Sequence, residues 1–370
     1  MDNVTFVADI GSGSIKAEVA GADAPRIIEN VVGIPKHKRI MPSLSASDAS
    51  LLTGKDIERR GLFKLSNPMF HGHVRDARGF QLVLKQAVAQ TGVEFRDHPF
   101  LLTEAPNVNR HQRSEMAQFI FEECQVPALL FAVQGVLSLY ASGATTGLVL
   151  DIGEGVTQTS PVVDYYSLRD CARRVDFAGQ DVTLFLQNML RQSGCFLDTS
   201  AECSIVRDIK EMHCKVSSTV RRTDDGNKSS QVRHMLPDGH EIALSNDAMY
   251  APDLLFAPSL GGYEHPGLTA IVHETIRRCD LDVRQSLYQG IFVAGGTTLT
   301  EKLNERLISE LAKDTPKNCR LKLHAPEGRR FTAWTGASFL AQLDSFKSLA
   351  TKRSEWEEHG ERILNARLFA

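Results

Sequence analysis

The segment Phe6-Val7-Ala8-Asp9-Ile10-Gly11-Ser12-Gly13 returns, far along the chain, as Leu148-Val149-Leu150-Asp151-Ile152-Gly153-Glu154-Gly155. In each copy a short apolar run, read as a buried strand, ends in an aspartate and then a Gly-x-Gly turn. The aspartate stands where the strand leaves the core, so its carboxylate can face a cleft. The glycines carry no side chains and let backbone N–H groups approach an anion closely. Two copies suggest duplicated halves gripping one phosphate chain from both sides, with the carboxylates reaching a hydrated Mg²⁺ between them. On the repeat alone, two unrelated strand–turn pairs of an α/β protein account for the pattern equally well.

At 370 residues the chain is long for one core, so two domains or lobes are expected. A formal net charge of −3 gives no electrostatic reason to expect nucleic acid. The seven cysteines are odd in number and contain no Cys-x-x-Cys, so neither a disulfide framework nor a zinc site is signalled. A reducing cytosolic or nuclear compartment suits them. The first strand begins almost at the N-terminus, leaving no leader segment. The most apolar stretch, 127–141, is too short to span a bilayer and holds Gln134 at its centre. The expectation is a soluble intracellular protein.

Strands are expected at 4–10 and 15–20, joined by the first glycine turn, and at 100–103. Helical spacing marks 79–91, 111–124, 178–192, 200–215, 267–279 and 299–312, with an amphipathic helix near 335–348 and a charged helical tail. The run 127–141 is apolar nearly all round and reads as one buried helix. A basic patch at 36–39 leads into a small polar run, 43–50, read as an exposed mobile loop, and 217–231 reads as another loop. A hairpin is expected to turn at 237–239. Residues 290–297 form a third apolar strand ending in glycines and opening a helix.

Several residues are placed to carry chemistry. Lys16 lies on the strand leaving the first turn and can meet β/γ-phosphates as a point charge, while Ser12 and Ser14 offer hydroxyls. Gln134 is an amide inside an apolar helix, which costs about 1–3 kcal/mol unless hydrogen-bonded. It is either satisfied by neighbouring backbone or faces the cleft and orients a water toward a γ-phosphate. Gly295-Gly296-Thr297 offers bare backbone against which an adenosine or phosphate can pack. Arg207, Lys210 and Glu211 share a helix face, and Arg329-Arg330 precede Phe331; by default these are surface charge.

The three glycine elements in this order resemble the phosphate-1, phosphate-2 and adenosine signatures of the actin, Hsp70 and sugar-kinase superfamily. Within it the chain resembles actin along nearly its whole length, with actin-like blocks at 101–106, 136–143 and 205–211. The resemblance implies an α/β, actin-like two-lobed fold, duplicated ribonuclease-H-like domains with a nucleotide cleft between the lobes. The implied divisions are 1–30, 68–141 and 332–370 for the first core, with 31–67 outside it. The second core takes 142–177 and 262–331, with 178–261 outside it. The implied cofactors are ATP or ADP and Mg. Asp9 and Asp151 would hold the metal through water. Gly11, Ser12, Gly13, Ser14 and Lys16 would meet the phosphates from one side, and Gly153, Glu154, Gly155 and Val156 from the other. Arg207, Lys210, Glu211, Gly295, Gly296, Thr297 and Arg330 would line the adenosine pocket, Arg330 standing where actins usually carry lysine. Gln134 matches actin's water-positioning glutamine, with Asp151 as the second catalytic candidate. Tyr140, Leu340, Leu343 and Phe346 would line a groove for partner helices, ordinary core packing being the equal alternative.

Segments 32–41, 251–256, 305–310 and 357–360 resemble the centractin branch, the actin-related proteins of dynactin's short filament. This implies self-association into a filament, dynactin-type partners and, indirectly, dynein-based transport along microtubules, in the cytoplasmic cytoskeleton. A conventional-type actin and an actin-related subunit of a nuclear chromatin-remodelling complex stand as alternatives. Departures from actin bear on rate and assembly. Gln158 stands where actin carries a histidine, Ile152 where it carries a serine, and Glu154 where it carries an aspartate. An imidazole relays a proton near neutral pH and an amide does not, so hydrolysis slower than in conventional actin is expected. The polar run at 43–50 and the segment 259–264 are less apolar than their actin counterparts, which favours short filaments over long ones.

Overall fold

The computed structural model describes residues 4–36, 53–54, 63–218, 232–237 and 239–366. The expected loop at 43–50, all but the first two residues of the one expected at 217–231, and most of the basic patch lie outside the described residues.

Two six-stranded sheets organise the chain. In the first, Phe6–Ile10 pairs antiparallel with Ser14–Val19 across the glycine turn and parallel with Phe100–Glu104 on its other side. Ala128–Val133 and then Thr351–Lys352 continue this sheet at one edge, and Arg26–Glu29 closes the other. In the second, Gly147–Ile152 pairs antiparallel with Thr157–Val163 and parallel with Ile291–Ala294. The repeated sequence therefore folds as a repeated unit: strand, glycine turn, antiparallel return, with a parallel neighbour behind. Register makes the likeness residue-by-residue, since Asp9 pairs with Lys16 and Asp151 with Gln158. Phe6, Val7 and Ala8, like Leu148, Val149 and Leu150, are fully buried. Strands covered on both faces read as continuous apolar runs rather than alternations.

That same rule corrects the reading of 127–141 as one helix. The chain instead makes the strand Ala128–Val133, paired with Phe100–Glu104, and only then the helix Gln134–Ala141. A strand buried on both faces has no period to distinguish it from a buried helix. Gln134 is consequently the first residue of a helix and not its centre.

Most other elements lie where the spacing puts them. Ala77–Thr91 starts at Asp76, which accepts from the Gly79 amide at 3.0 Å, and stops at Gly92 in a left-handed conformation. Ser200–His213 opens with a Thr199/Glu202 capping box. Arg110–Gln118 widens into a π-type turn over Phe119–Glu123. Gly179–Gln192, Leu268–Arg278 and Leu303–Asp314 are also helical. The third glycine strand opens onto a 3₁₀ turn, Gly296–Leu299, rather than directly onto a helix. The expected helix near 335–348 is two, Thr332–Gln342 and Phe346–Leu349. Leu281–Gln289 is a further helix; it buries only Leu287 and Tyr288, too few to leave a periodic trace.

The helix Gln134–Ala141 belongs to both halves. Leu137 packs with Val7, Leu101 and Leu130 of the first sheet, whereas Val136 and Leu139 pack with Val149, Val162 and Phe292 of the second. Helix Thr332–Gln342 lies directly against it. A Cβ on Gly336 would fall 1.8 Å from the Leu137 carbonyl oxygen, so only glycine permits that approach.

Candidate functional site

The ends of the two repeated strands meet in one cleft of about 470 Å³, within the range of small-molecule sites. Asp9, Gly11, Ser12, Gly13, Ser14 and Lys16 wall it from the first half. Asp151, Gly153, Glu154, Gly155, Val156 and Gln158 wall it from the second. Gln134, Lys210, Glu211, Gly295, Gly296, Thr297 and Arg330 add to the lining from four further segments.

At the floor, a chain of hydrogen bonds links the two aspartates. Asp9 is buried, accepts from Thr103 Oγ1 at 2.8 Å and from Gln134 Nε2 at 2.9 Å, and pairs with Lys16 Nζ at 3.2 Å. Gln134 Nε2 also lies 3.1 Å from the Ile10 carbonyl. That carbonyl can only accept, which fixes the amide's orientation and turns Gln134 Oε1 toward the second half. There it accepts from Gln158 Nε2 at 2.9 Å, and the same nitrogen donates to Asp151 Oδ2 at 3.0 Å. Gln134 thus bonds neighbouring backbone, at Ile10, and also lines the cleft.

The equivalent positions of the two halves differ in charge. Asp9 has a cation at its paired position, Lys16, and Asp151 has an amide, Gln158. Burial pushes the Asp151 carboxyl up to about 6, with the Gln158 hydrogen bond working against that rise, Asp9 adding to it and Lys16 opposing it. Two carboxylates face one cleft, Asp9 buried and Asp151 half-buried, with Lys16 paired to the first and acting on the second. They suit a divalent ion and its waters, and Asp9 and Asp151 would be the residues to hold it.

The turns form a cradle with no spare volume. A Cβ on Gly13 would lie 1.6 Å from Glu154 Oε2, and one on Gly155 2.6 Å from Ser12 Oγ. Gly295, at φ +91°, sits so close to the second strand that a Cβ would meet the Ile152 carbonyl oxygen at 2.3 Å. Thr297 Oγ1 donates to the Gly153 carbonyl at 2.6 Å, locking the third glycine element to the second. Lys210 Nζ, whose pKa burial lowers, donates to the Gly179 carbonyl and to Thr183 Oγ1, each at 2.8 Å.

Arg207 departs from its expected place. It is absent from the cleft wall and instead reaches the opposite half, pairing with Glu29 at 2.9 Å. In the expected partner groove, Leu340 and Phe346 are buried in the core, Tyr140 packs partly against that core and Leu343 is exposed. Tyr140 also meets Tyr165 edge-on.

Three site residues escaped the sequence reading. Thr103 sits in an actin-like block, but nothing in the sequence told that it would bond Asp9. His71 and Gly72 cover the seam between the turns, His71 Nδ1 contacting the Gly155 carbonyl and the Gly72 amide donating to Ser12 Oγ at 2.8 Å. No motif marks them; they are brought there by the fold.

The Actin family model matches residues 1–369. The chain belongs to the actin family. An "Actin-like protein" of Neurospora crassa is 38% identical to it over 368 residues, covering 97% of each chain. The two sheets with their shared cleft are thus the two-lobed actin fold. Members of the family generally bind an adenine nucleotide with Mg, and generally self-assemble or join complexes. Among the described residues no helix is long and apolar enough to cross a membrane.

Proposed function

We propose that this actin-family chain binds ATP or ADP with Mg between its lobes and serves as a filament subunit of the centractin kind, in a dynactin-type assembly supporting dynein-based transport. The observation that carries the nucleotide reading is the meeting of Asp9, Asp151 and three glycine elements on one cleft. The missing Cβ atoms let the turns close on one another, Gly13 on Glu154, Gly155 on Ser12 and Gly295 on Ile152. This draws the cleft walls together around a polyanion, and Lys16 supplies a positive charge on that wall. The bound metal would supply charge neutralisation for the phosphates. Gln134 holds its amide between the two carboxylates, and Gln158 fixes it there without a group that can take up a proton near neutral pH. Hydrolysis is accordingly slow and linked at most to assembly.

The centractin reading rests on the resembling segments, part of which lie outside the described residues. Affinity purification from the native cell tests it: co-elution of coiled-coil and filament-capping subunits supports it, and co-elution with a helicase-type ATPase overturns it. Sedimentation with Mg-ATP tests the assembly: long filaments at micromolar concentration would instead mark a conventional-type actin. Titration with a fluorescent ATP analogue tests the cleft, and Asp9→Asn together with Asp151→Asn should abolish Mg-dependent binding.

A further inference from the structure

Helix Ser200–His213 lines the cleft with its last turn, Lys210 to His213, and sends two earlier residues out across the mouth. Arg207 Nη2 pairs with Glu29 Oε1 at 2.9 Å, and Ser200 Oγ accepts from the Leu65 amide at 3.1 Å. Both partners belong to the opposite side of the cleft. Glu29 ends the edge strand of the first sheet, and Leu65 lies in the strand Phe63–Ser66. The strand that feeds the shared helix, Ala128–Val133, stands four places across that sheet from Arg26–Glu29. Four strand spacings are roughly 19 Å, so these contacts act on a long arm from the place where the lobes join.

We propose that Arg207–Glu29 and Ser200–Leu65 form a polar clasp over the cleft mouth that sets how fast a bound nucleotide leaves, an inference that rests on the nucleotide reading above. The carboxylates around Arg207 are Glu154, which also reaches over Gly13, Glu29 and Asp208. The guanidinium thus stands between a carboxylate at the phosphate turns and one on the far lobe. The clasp is built to open. Glu29 is about half exposed and Arg207 partly so, and pairs screened by water contribute little individually. Such a contact slows opening without preventing it, and salt weakens it.

The test is release of a fluorescent ATP analogue, chased with excess ATP, from the full chain. Glu29→Gln should speed release roughly two- to five-fold, the range expected of an exposed ion pair. Glu29→Lys, which sets a cation against Arg207, should speed it further. Raising salt from about 20 to about 300 mM should speed the wild type and leave Glu29→Gln nearly unchanged. Equal release from all three proteins, each still binding the analogue, would overturn the clasp. Hydrogen exchange of the Leu65 amide in nucleotide-free protein reads the same contact independently. Faster exchange at Leu65 in Glu29→Lys supports the clasp and unchanged exchange refutes it, even if no analogue binds and the nucleotide reading itself fails.

Discussion

Replacing Gly295 by alanine separates the two constraints that the cleft places on its backbone. Gly295 has φ 91° and ψ 152°, a region essentially reserved for glycine. Holding an alanine there costs about 1–3 kcal/mol. The new Cβ would also stand 2.3 Å from the Ile152 carbonyl oxygen and 2.4 Å from Asp151 Oδ1. The first is backbone of a central strand and yields little, and overpacking of that kind adds about 1–3 kcal/mol. Together the loss is roughly 2–6 kcal/mol, a large share of the about 5–15 kcal/mol that holds a folded protein together. Two controls isolate the terms. Gly143, at φ 69° with nothing within 4 Å of its Cβ position, carries only the backbone cost. Gly296, whose Cβ would meet nothing nearer than 3.9 Å, carries neither. Urea unfolding followed by circular dichroism should rank the variants Gly295→Ala, Gly143→Ala, Gly296→Ala in decreasing loss of midpoint. A Gly295→Ala protein that unfolds with the wild type, or is no worse than Gly143→Ala, would refute the close approach of the third glycine element to the second.

Other outcomes follow from charged and titrating groups. Arg113 and Glu104 form a buried pair at 2.9 Å, so Arg113→Met strands a carboxylate and should cost about 3–5 kcal/mol, against less for Glu104→Gln. Burial already holds the Glu104 carboxyl above its ordinary value against the pull of Arg113. Its contribution is therefore full in acid and lost as pH rises through the folded value, and Arg113→Met should steepen that loss in urea midpoints measured across pH. His273 is buried against Tyr288 at 2.9 Å, and burial lowers its pKa below 6.5. Stability should fall as pH drops through 6.5, where the unfolded chain takes up the proton first, and His273→Leu should flatten that limb. Single-turnover ATP hydrolysis by assembled wild-type protein should be slower than that of conventional actin. Gln158→His should raise it; equal rates in the wild type and actin would remove the argument from Gln158.

The repeated strand–turn units were legible because their signal is local: an apolar run, an acid and two glycines fix both the strand end and the conformation after it. The register that sets Asp9 opposite Lys16 and Asp151 opposite Gln158 follows from the same short hairpins. What was not legible depended on partners remote in sequence. The strand at 128–133 and the helix after it share one uninterrupted apolar stretch, and only pairing with Phe100–Glu104 divides them. Thr103 and His71 enter the site because strands and turns from other segments carry them there. Arg207 shows the reverse case, since its position in an actin-like block placed it in the pocket and a carboxylate on the other lobe draws it out.

Gly336 gives the molecule its axle. With a bare Cα against Leu137, two helices cross at a separation no larger residue would tolerate, and one of them is packed against both sheets. Sliding the lobes apart would tear that seam, whereas rotating them about it leaves the contact whole. Movement therefore concentrates at the periphery: a slight swivel at the crossing becomes a wide sweep at the far rim.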